Sequence, residues 1–383
     1  MTSKSQRRFE TLAVHAGQPV DPATGAVVAA IYPSTTYERD ADGQFSRGYF
    51  YGRHGNPNRD ALERCIAELE GGAAALAFAS GLAVPTAVVQ ALKPGDHIVA
   101  PDDVYHGFRR VLDTVYPQWG LETSFVDLTN LEAVRAAFRP NTRLLWIESP
   151  SNPLLKIADL AALAAIAREA GVASVCDGTF ATPALQRPLE LGVDLVAHST
   201  TKAIAGHSDV TGGVLIARDA EHPIFKSARN SQQFGGAVPS PFDCWLTLRG
   251  IATLPYRVRA QSDSAAQIAA FLEAHPAVTR VHYPGLPSHP AHALATRQMS
   301  RFGGVLSFEV KGSTEDAMRV AANTSVFIRA TSLGGTHSLI EHRASIEGPG
   351  GKTPPTLLRV SVGLEHPEDL IEDLGSALAT VAS

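Results

Sequence analysis

The chain has little cysteine, little net charge and no long apolar run, and each shortage removes a class of protein. Among its 383 residues are three cysteines, Cys65, Cys176 and Cys244. They are scattered, odd in number and form no CxxC pair, so neither a disulfide framework nor a zinc site is expected, and no other metal. Cys176 lies in an apolar strand pattern and reads as a small buried hydrophobe. The net charge of −5 is mixed along the chain, leaving no basic face for nucleic acid and no polybasic membrane patch. No apolar run approaches the roughly 18–20 residues of a membrane span. Met1–Arg8 is polar and lacks the apolar stretch of a secretory signal. The expectation is a soluble cytoplasmic protein with no nucleic-acid or membrane partner.

What is present is enough chain for two domains, 44% hydrophobic and 19% charged, so a sizeable core can form. Residues 1–58 are rich in turn formers, among them Pro19, Pro22, Gly25, Pro33, Gly43 and Gly48. They read as an extended arm, wrapped on a neighbouring subunit or draped over their own chain. Residues 59–250 alternate. A helix at Arg59–Leu69 stops at Gly71-Gly72, and a strand at Ala73–Ala79 leads to a helix from Ser80 to Leu92. Strands follow at His97–Ala100, Thr123–Val126 and Arg143–Ile147, then a helix at Ala158–Ala170 and strands at Ala173–Cys176, Leu195–Ala197 and Gly213–Ile216. Such alternation predicts a doubly wound α/β domain on a mostly parallel, seven-stranded sheet. Residues 251–383, with a long helix at Ser262–Ala274, strands at Gly304–Val310 and Leu357–Val362 and a last helix from Pro367, predict a smaller α+β C-terminal domain.

The most informative run is His198–Val210, in which Lys202 sits among small, hydroxylated and glycyl residues directly after an apolar strand. A lysine bound for solvent usually stands among other charges. A desolvated lysine amine with a lowered pKa forms Schiff bases with carbonyls, and pyridoxal phosphate is the leading candidate. The alternative is a lysine in an ordinary turn, with Ser199 and Thr201 as turn hydroxyls.

Other segments fit the same chemistry. Ser80-Gly81-Leu82 lies where a strand turns into a helix, a place suited to phosphate and equally to a plain N-cap. Asp177 ends an apolar strand, where it could pair with a protonated pyridine nitrogen or cap the next turn. In Glu148–Pro153, two prolines shape a loop whose Asn152 can orient a carboxylate or a ring oxygen, or simply form an Asx turn. Tyr105 stands in a crevice loop where an aromatic ring can stack on a flat cofactor.

Together these segments resemble the trans-sulfuration (Cys/Met metabolism) family of pyridoxal-phosphate enzymes, the cystathionine γ-synthases, β-lyases and their relatives. The resemblance covers essentially the whole chain. It also takes in Tyr49–Arg53, Gly55-Asn56-Pro57, Ser332–Gly335 and Leu358–Gly363. It implies the aspartate-aminotransferase-like fold type I and a homotetramer built as a dimer of dimers. It implies that Lys202 holds pyridoxal 5'-phosphate as an imine and moves protons through aldimine and quinonoid intermediates. Asp177, with Thr179, would bind at the ring nitrogen, and Tyr105 would stack on the ring and belong to the catalytic set. Gly81, Leu82, Ser199 and Thr201 would bind the phosphate, with Tyr51 and Arg53 reaching in from a second subunit. Arg359, aided by Asn152 and Ser332, would hold the substrate α-carboxylate, and Leu333, Arg110 and Thr331 would also belong to the substrate-binding set.

The chain departs from the family pattern at several points. Ala203 stands where a tyrosine usually follows the lysine, Gly178 where Asn or Ser follows the aspartate, and Leu82 where methionine is frequent. These changes predict looser packing around the cofactor. Thr331 replaces a glutamate of typical γ-enzymes, whereas Arg110 keeps the arginine of the γ-type tyrosine loop. The implied activity is making or cleaving C–S bonds of cystathionine-type amino acids, as a cystathionine γ-synthase or β-lyase. The implied substrate is a sulfur amino acid or a homoserine ester. The alternatives are an O-acylhomoserine sulfhydrylase, a methionine γ-lyase or, without catalysis, a degenerate cofactor-holding scaffold.

Overall fold

Seven short runs, largely apolar except at the edge strand Glu122–Val126, supply the strands of the larger sheet in a computed structural model that describes residues 7–347 and 353–381. In chain order they are β1 (Ala74–Phe78), β2 (His97–Pro101), β3 (Glu122–Val126), β4 (Thr142–Glu148), β5 (Ala173–Asp177), β6 (Leu195–His198) and β7 (Gly213–Ala217). Their spatial order is β1-β7-β6-β5-β4-β2-β3. β7 runs antiparallel to both neighbours, and the other pairings are parallel.

Both faces are covered, which is why the strands read as continuous hydrophobic runs and not as alternating ones. Successive residues point to opposite faces: Leu144 and Trp146 of β4 enter one core with Phe108 and Phe225, while Leu145 and Ile147 enter another with Leu163 and Ile166. The expected doubly wound, mostly parallel sheet is what the chain forms.

The second sheet contains β8 (Val278–His282), β9 (Val305–Val310), β10 (Ile328–Arg329), β11 (Leu339–His342) and β12 (Leu357–Ser361), ordered β10-β11-β12-β9-β8. It is antiparallel except between β10 and β11. Helices Leu254–Ala274, Thr314–Ala322 and Pro367–Ala379 share a core with it through Ile268, Leu272, Val320 and Leu374.

Several elements differ from expectation. The helix expected from Ser80 starts at Ala83 and ends at Val89, because Ser80-Gly81-Leu82 forms a turn before it. The helix expected at Ser262–Ala274 begins at Leu254, with Pro255 in the first turn, where its missing N–H costs nothing. The Tyr105 segment is not a loop throughout. His106–Thr114 is helical, with Tyr105 at its N-cap and no side-chain cap to signal the start. The helix Pro223–Gly235 and strand β8 were not expected. In the N-terminal arm, the helix Phe9–His15 buries Ala13 in a core shared with Leu62 and Ile66 of the helix Pro57–Glu70.

Candidate active site

Parallel strands leave a crevice beyond their carboxyl ends, and here β4, β5 and β6 end in Glu148, Asp177 and His198. All three line a cavity of about 500 Å³, together with Lys202, Tyr105 and Arg359. A larger groove of about 920 Å³ runs past Arg280, His282 and Glu309, and contains none of the residues singled out in the sequence.

Lys202 stands four residues beyond β6 on a tight turn, closed by Ala205 N–H to Thr200 O at 2.9 Å and Gly206 N–H to Lys202 O at 2.8 Å. Gly206 has φ of +73°, and the space a Cβ would fill is taken by the Arg257 guanidinium. Arg257 donates to the carbonyls of Ala203 at 2.8 Å and Gly250 at 2.7 Å, pinning the turn from behind. The Lys202 amine donates to Ser332 Oγ at 2.8 Å. Burial lowers its pKa to about 8, and the charge of Arg359 acts in the same direction. Ser332 itself has φ of +81°, a conformation non-glycine residues adopt rarely and often at functional sites.

Asp177 is fixed by its own loop. Its Oδ1 accepts the Thr179 N–H at 2.9 Å, and Thr179 Oγ1 accepts the Ser199 N–H at 2.9 Å, joining the ends of β5 and β6. Burial holds the Asp177 carboxyl above the usual carboxylate range, partly opposed by its bonds to Thr179. Behind it, His198 Nε2 and Glu70 Oε2 lie 2.9 Å apart with both side chains fully buried. A Cβ on Gly178 would come within 2.9 Å of His198 Cε1. Ala203 likewise packs against Gly334, whose Cβ would meet the Ala203 backbone nitrogen at 2.5 Å. Neither Gly178 nor Gly334 therefore leaves room for a Cβ within the protein's own packing.

Glu148 ties the Tyr105 segment to the Asn152 loop. Its two oxygens accept the N–H of Tyr105 at 2.8 Å and of Asn152 at 3.2 Å. Asn152 Oδ1 in turn accepts from Arg359 Nη1 at 3.0 Å, and Arg359 Nη2 donates to the Ser332 carbonyl at 2.9 Å. Arg359 also forms a buried ion pair with Glu341. The Tyr105 ring folds back over Gly107, where a Cβ would meet it at 2.6 Å. Neither Glu341 nor Arg343, which lines the same cavity, was singled out in the sequence.

Ser80, Gly81, Leu82 and Ser199 line another corner of the cavity. A Cβ on Gly81 would lie 2.6 Å from Ser199 Oγ. Among the described residues, the N–H groups of Gly81 and Leu82 and the Ser199 hydroxyl make no hydrogen bond. Thr201 also lines the cavity, but its hydroxyl is tied to Gly212, accepting the N–H at 2.9 Å. Thr331 and Leu333 line the wall. Arg110 lies elsewhere, in an adjoining cavity of about 290 Å³ that Asn152 also borders. Tyr51 and Arg53 do not line this chain's cavity; Tyr51 is 43% exposed, and Arg53 donates to the Gln233 carbonyl.

An amine of low proton affinity, a buried carboxyl and an arginine fork in one cavity are the groups that a carbonyl cofactor and an amino acid require. Comparison with known proteins agrees: residues 10–379 match the family of Cys/Met metabolism PLP-dependent enzymes. The chain belongs to that family. It is 48% identical over 374 residues to the cystathionine gamma-synthase of Mycobacterium tuberculosis, covering 96% of each chain. It is 46% identical to the cystathionine beta-lyase of Coxiella burnetii, covering 99% of this chain and all of the other. The crystal structure of metB from Corynebacterium glutamicum superposes with a TM-score of 0.95 at 42% identity, covering 98% of each. The fold is thus that of the PLP fold type I enzymes, a large mixed sheet with a smaller C-terminal unit. The cavity's donor set also fits that cofactor: it offers open donors at Gly81, Leu82 and Ser199, an amine at Lys202 and a carboxyl at Asp177.

Proposed function

We propose that this trans-sulfuration enzyme makes or cleaves the C–S bond of cystathionine-type amino acids, with γ-replacement on a homoserine ester as its leading reaction. The observation that carries the reading is Lys202, an amine that burial brings to a pKa of about 8 in the same cavity as Arg359. The cystathionine gamma-synthase at 48% identity supports γ-replacement, and the beta-lyase at 46% keeps β-elimination as the outcome to exclude.

Pyridoxal phosphate, when bound, supplies an aldehyde for amino groups and a ring that withdraws electrons from the α-carbon. Lys202 would hold it, Asp177 would keep its ring nitrogen protonated, and Gly81, Leu82 and Ser199 would take its phosphate. Arg359, oriented by Asn152 and the Ser332 carbonyl, binds the substrate α-carboxylate as a fork. With its pKa near 8, the Lys202 amine is largely free base at mildly alkaline pH. It then takes the Cα proton and returns it later, as a general base with a matched pKa should. Ser332 Oγ aims the amine. Tyr105, its N–H held by Glu148, would stack on the cofactor ring.

Tyr51 and Arg53 join the site from a second copy in this reading, within a homotetramer located in the cytoplasm. The unpaired, buried Cys65, Cys176 and Cys244 suit a reducing compartment. The test is to assay purified protein with O-succinylhomoserine plus cysteine or sulfide, with cystathionine alone and with methionine alone. Cystathionine formed from the ester supports γ-replacement. Pyruvate from cystathionine shows β-elimination instead, sulfide incorporation shows a sulfhydrylase, and methionine cleavage shows a methionine γ-lyase. A coloured protein with no turnover leaves the scaffold.

A further inference from the structure

Arg343 follows β11 directly and opens the short helix Arg343–Glu347. It is 6% exposed, yet it lines the cavity that holds Lys202 and Arg359. Register pairs Glu341 of β11 with Arg359 of β12, and their side chains join in an ion pair. The other Glu341 oxygen, Oε1, lies 3.5 Å from Arg343 Nη1, so one carboxylate is divided between two guanidinium groups. Glu347 holds Arg343 from the far side, Oε1 to Nε at 3.3 Å. Nη2 of Arg343 makes no hydrogen bond among the described residues. The Arg343 charge lowers the proton affinity of both Lys202 and Arg359, which shows it acting on the cavity.

The cavity's own carboxyls do not answer that charge. Glu148 is engaged by the N–H groups of Tyr105 and Asn152, and Asp177 by that of Thr179. Thr331, on the same wall, is neutral. An amino acid whose α-carboxylate sits on Arg359 therefore meets a second cation farther along. A neutral side-chain end would cover the free Nη2 of Arg343 without giving it a partner, and an anionic end would supply one beside Glu341 and Glu347.

We propose that Arg343 is a substrate-binding residue selecting amino acids with a second anionic group at the end of the side chain. That class includes homoserine esterified with a dicarboxylic acid. The inference rests on the reading of Arg359 as the α-carboxylate site given above. It differs from the expectation for Arg110, which lies in the adjoining cavity.

The test uses holoenzyme and two amino acids of equal length, L-2-aminoadipate, which ends in a carboxylate, and L-norleucine, which ends in a methyl group. Binding is read from the visible absorbance of the cofactor and by calorimetry. Wild-type protein binds aminoadipate at least about tenfold more tightly than norleucine, as a charge-assisted pair requires. Arg343→Met removes that preference and leaves the norleucine affinity within about twofold, because a methyl end makes no charge-assisted bond for the substitution to remove. Arg343→Lys keeps part of it, a point charge replacing a fork. Equal affinities in the wild type, or a preference that survives Arg343→Met, overturns the proposal. If Arg343→Met does not fold, equal wild-type affinities or an undiminished preference in Arg343→Lys overturns it just as well. Protein that turns over no sulfur amino acid yet keeps the preference refutes the proposed reaction and leaves the role of Arg343 standing.

Discussion

Glu341 and Arg359 face each other on neighbouring antiparallel strands and meet in a buried ion pair. Glu341 thus compensates the arginine assigned to the substrate carboxylate. Removing one member of a buried pair strands the other charge, at about 3–5 kcal/mol. Glu341→Gln therefore lowers the melting temperature of the free enzyme. A bound amino acid then supplies the missing negative charge, so saturating substrate analogue raises that temperature more in the variant than in wild type. Calorimetric melts with and without the analogue check both statements.

The pKa of Lys202, about 8 against the usual lysine value of about 10.4, sets two pH dependences. Only the free amine attacks an aldehyde, so the rate at which apoprotein takes up pyridoxal phosphate rises through pH 8 and then levels. Stopped-flow absorbance across pH 6.5 to 9.5 follows it, over a window of about 1.5 units either side of the lowered pKa. In the apoprotein, the unfolded chain binds more protons at this group than the fold does between the two pKa values. Its contribution to stability therefore rises with pH across that window, and below it the buried charge is a constant penalty. Lys202→Met consequently raises the melting temperature of apoprotein at neutral pH, and the gain shrinks as the pH approaches 10.4.

Gly81 is required by space, since its Cβ would fall 2.6 Å from Ser199 Oγ. Gly81→Ala costs about 1–3 kcal/mol of overpacking beside Ser199, which is roughly 5- to 150-fold in cofactor affinity. Equilibrium dialysis of the apoprotein with pyridoxal phosphate measures it. Far-ultraviolet circular dichroism is expected to be unchanged.

Glu70 and His198 form a fully buried pair beneath Asp177. Glu70→Leu leaves the imidazole Nε2 without a partner and destabilises the fold by about 1–3 kcal/mol. Denaturant unfolding of the apoprotein reports the loss, and Glu70→Gln, which can still bond, recovers part of it.

Much of the site was legible because it lies at strand ends. Continuous apolar runs mark the parallel strands, and Asp177 and Glu148 end two of them, so the crevice could be placed from the sequence. Lys202 was betrayed by its small, hydroxylated neighbours. Glu341 and Arg343 were not, because their role depends on which residues β11 and β12 bring opposite one another, and pairing across strands leaves no local pattern. The helix His106–Thr114 was missed because Gly107 sits in its first turn and no side chain caps it. The tightness at Gly178 could not be read either, since the His198 ring that fills the space stands twenty residues away in sequence, which the β5–β6 pairing closes.

The proposed chemistry turns on a covalent attachment at one amine. Protein incubated with pyridoxal phosphate, reduced with borohydride and digested gives the most direct test by peptide mass spectrometry. The predicted result is a single pyridoxyl-phosphate adduct on the peptide carrying Lys202, absent from Lys202→Ala. An unlabelled protein, or an adduct on another lysine that persists in Lys202→Ala, would contradict it.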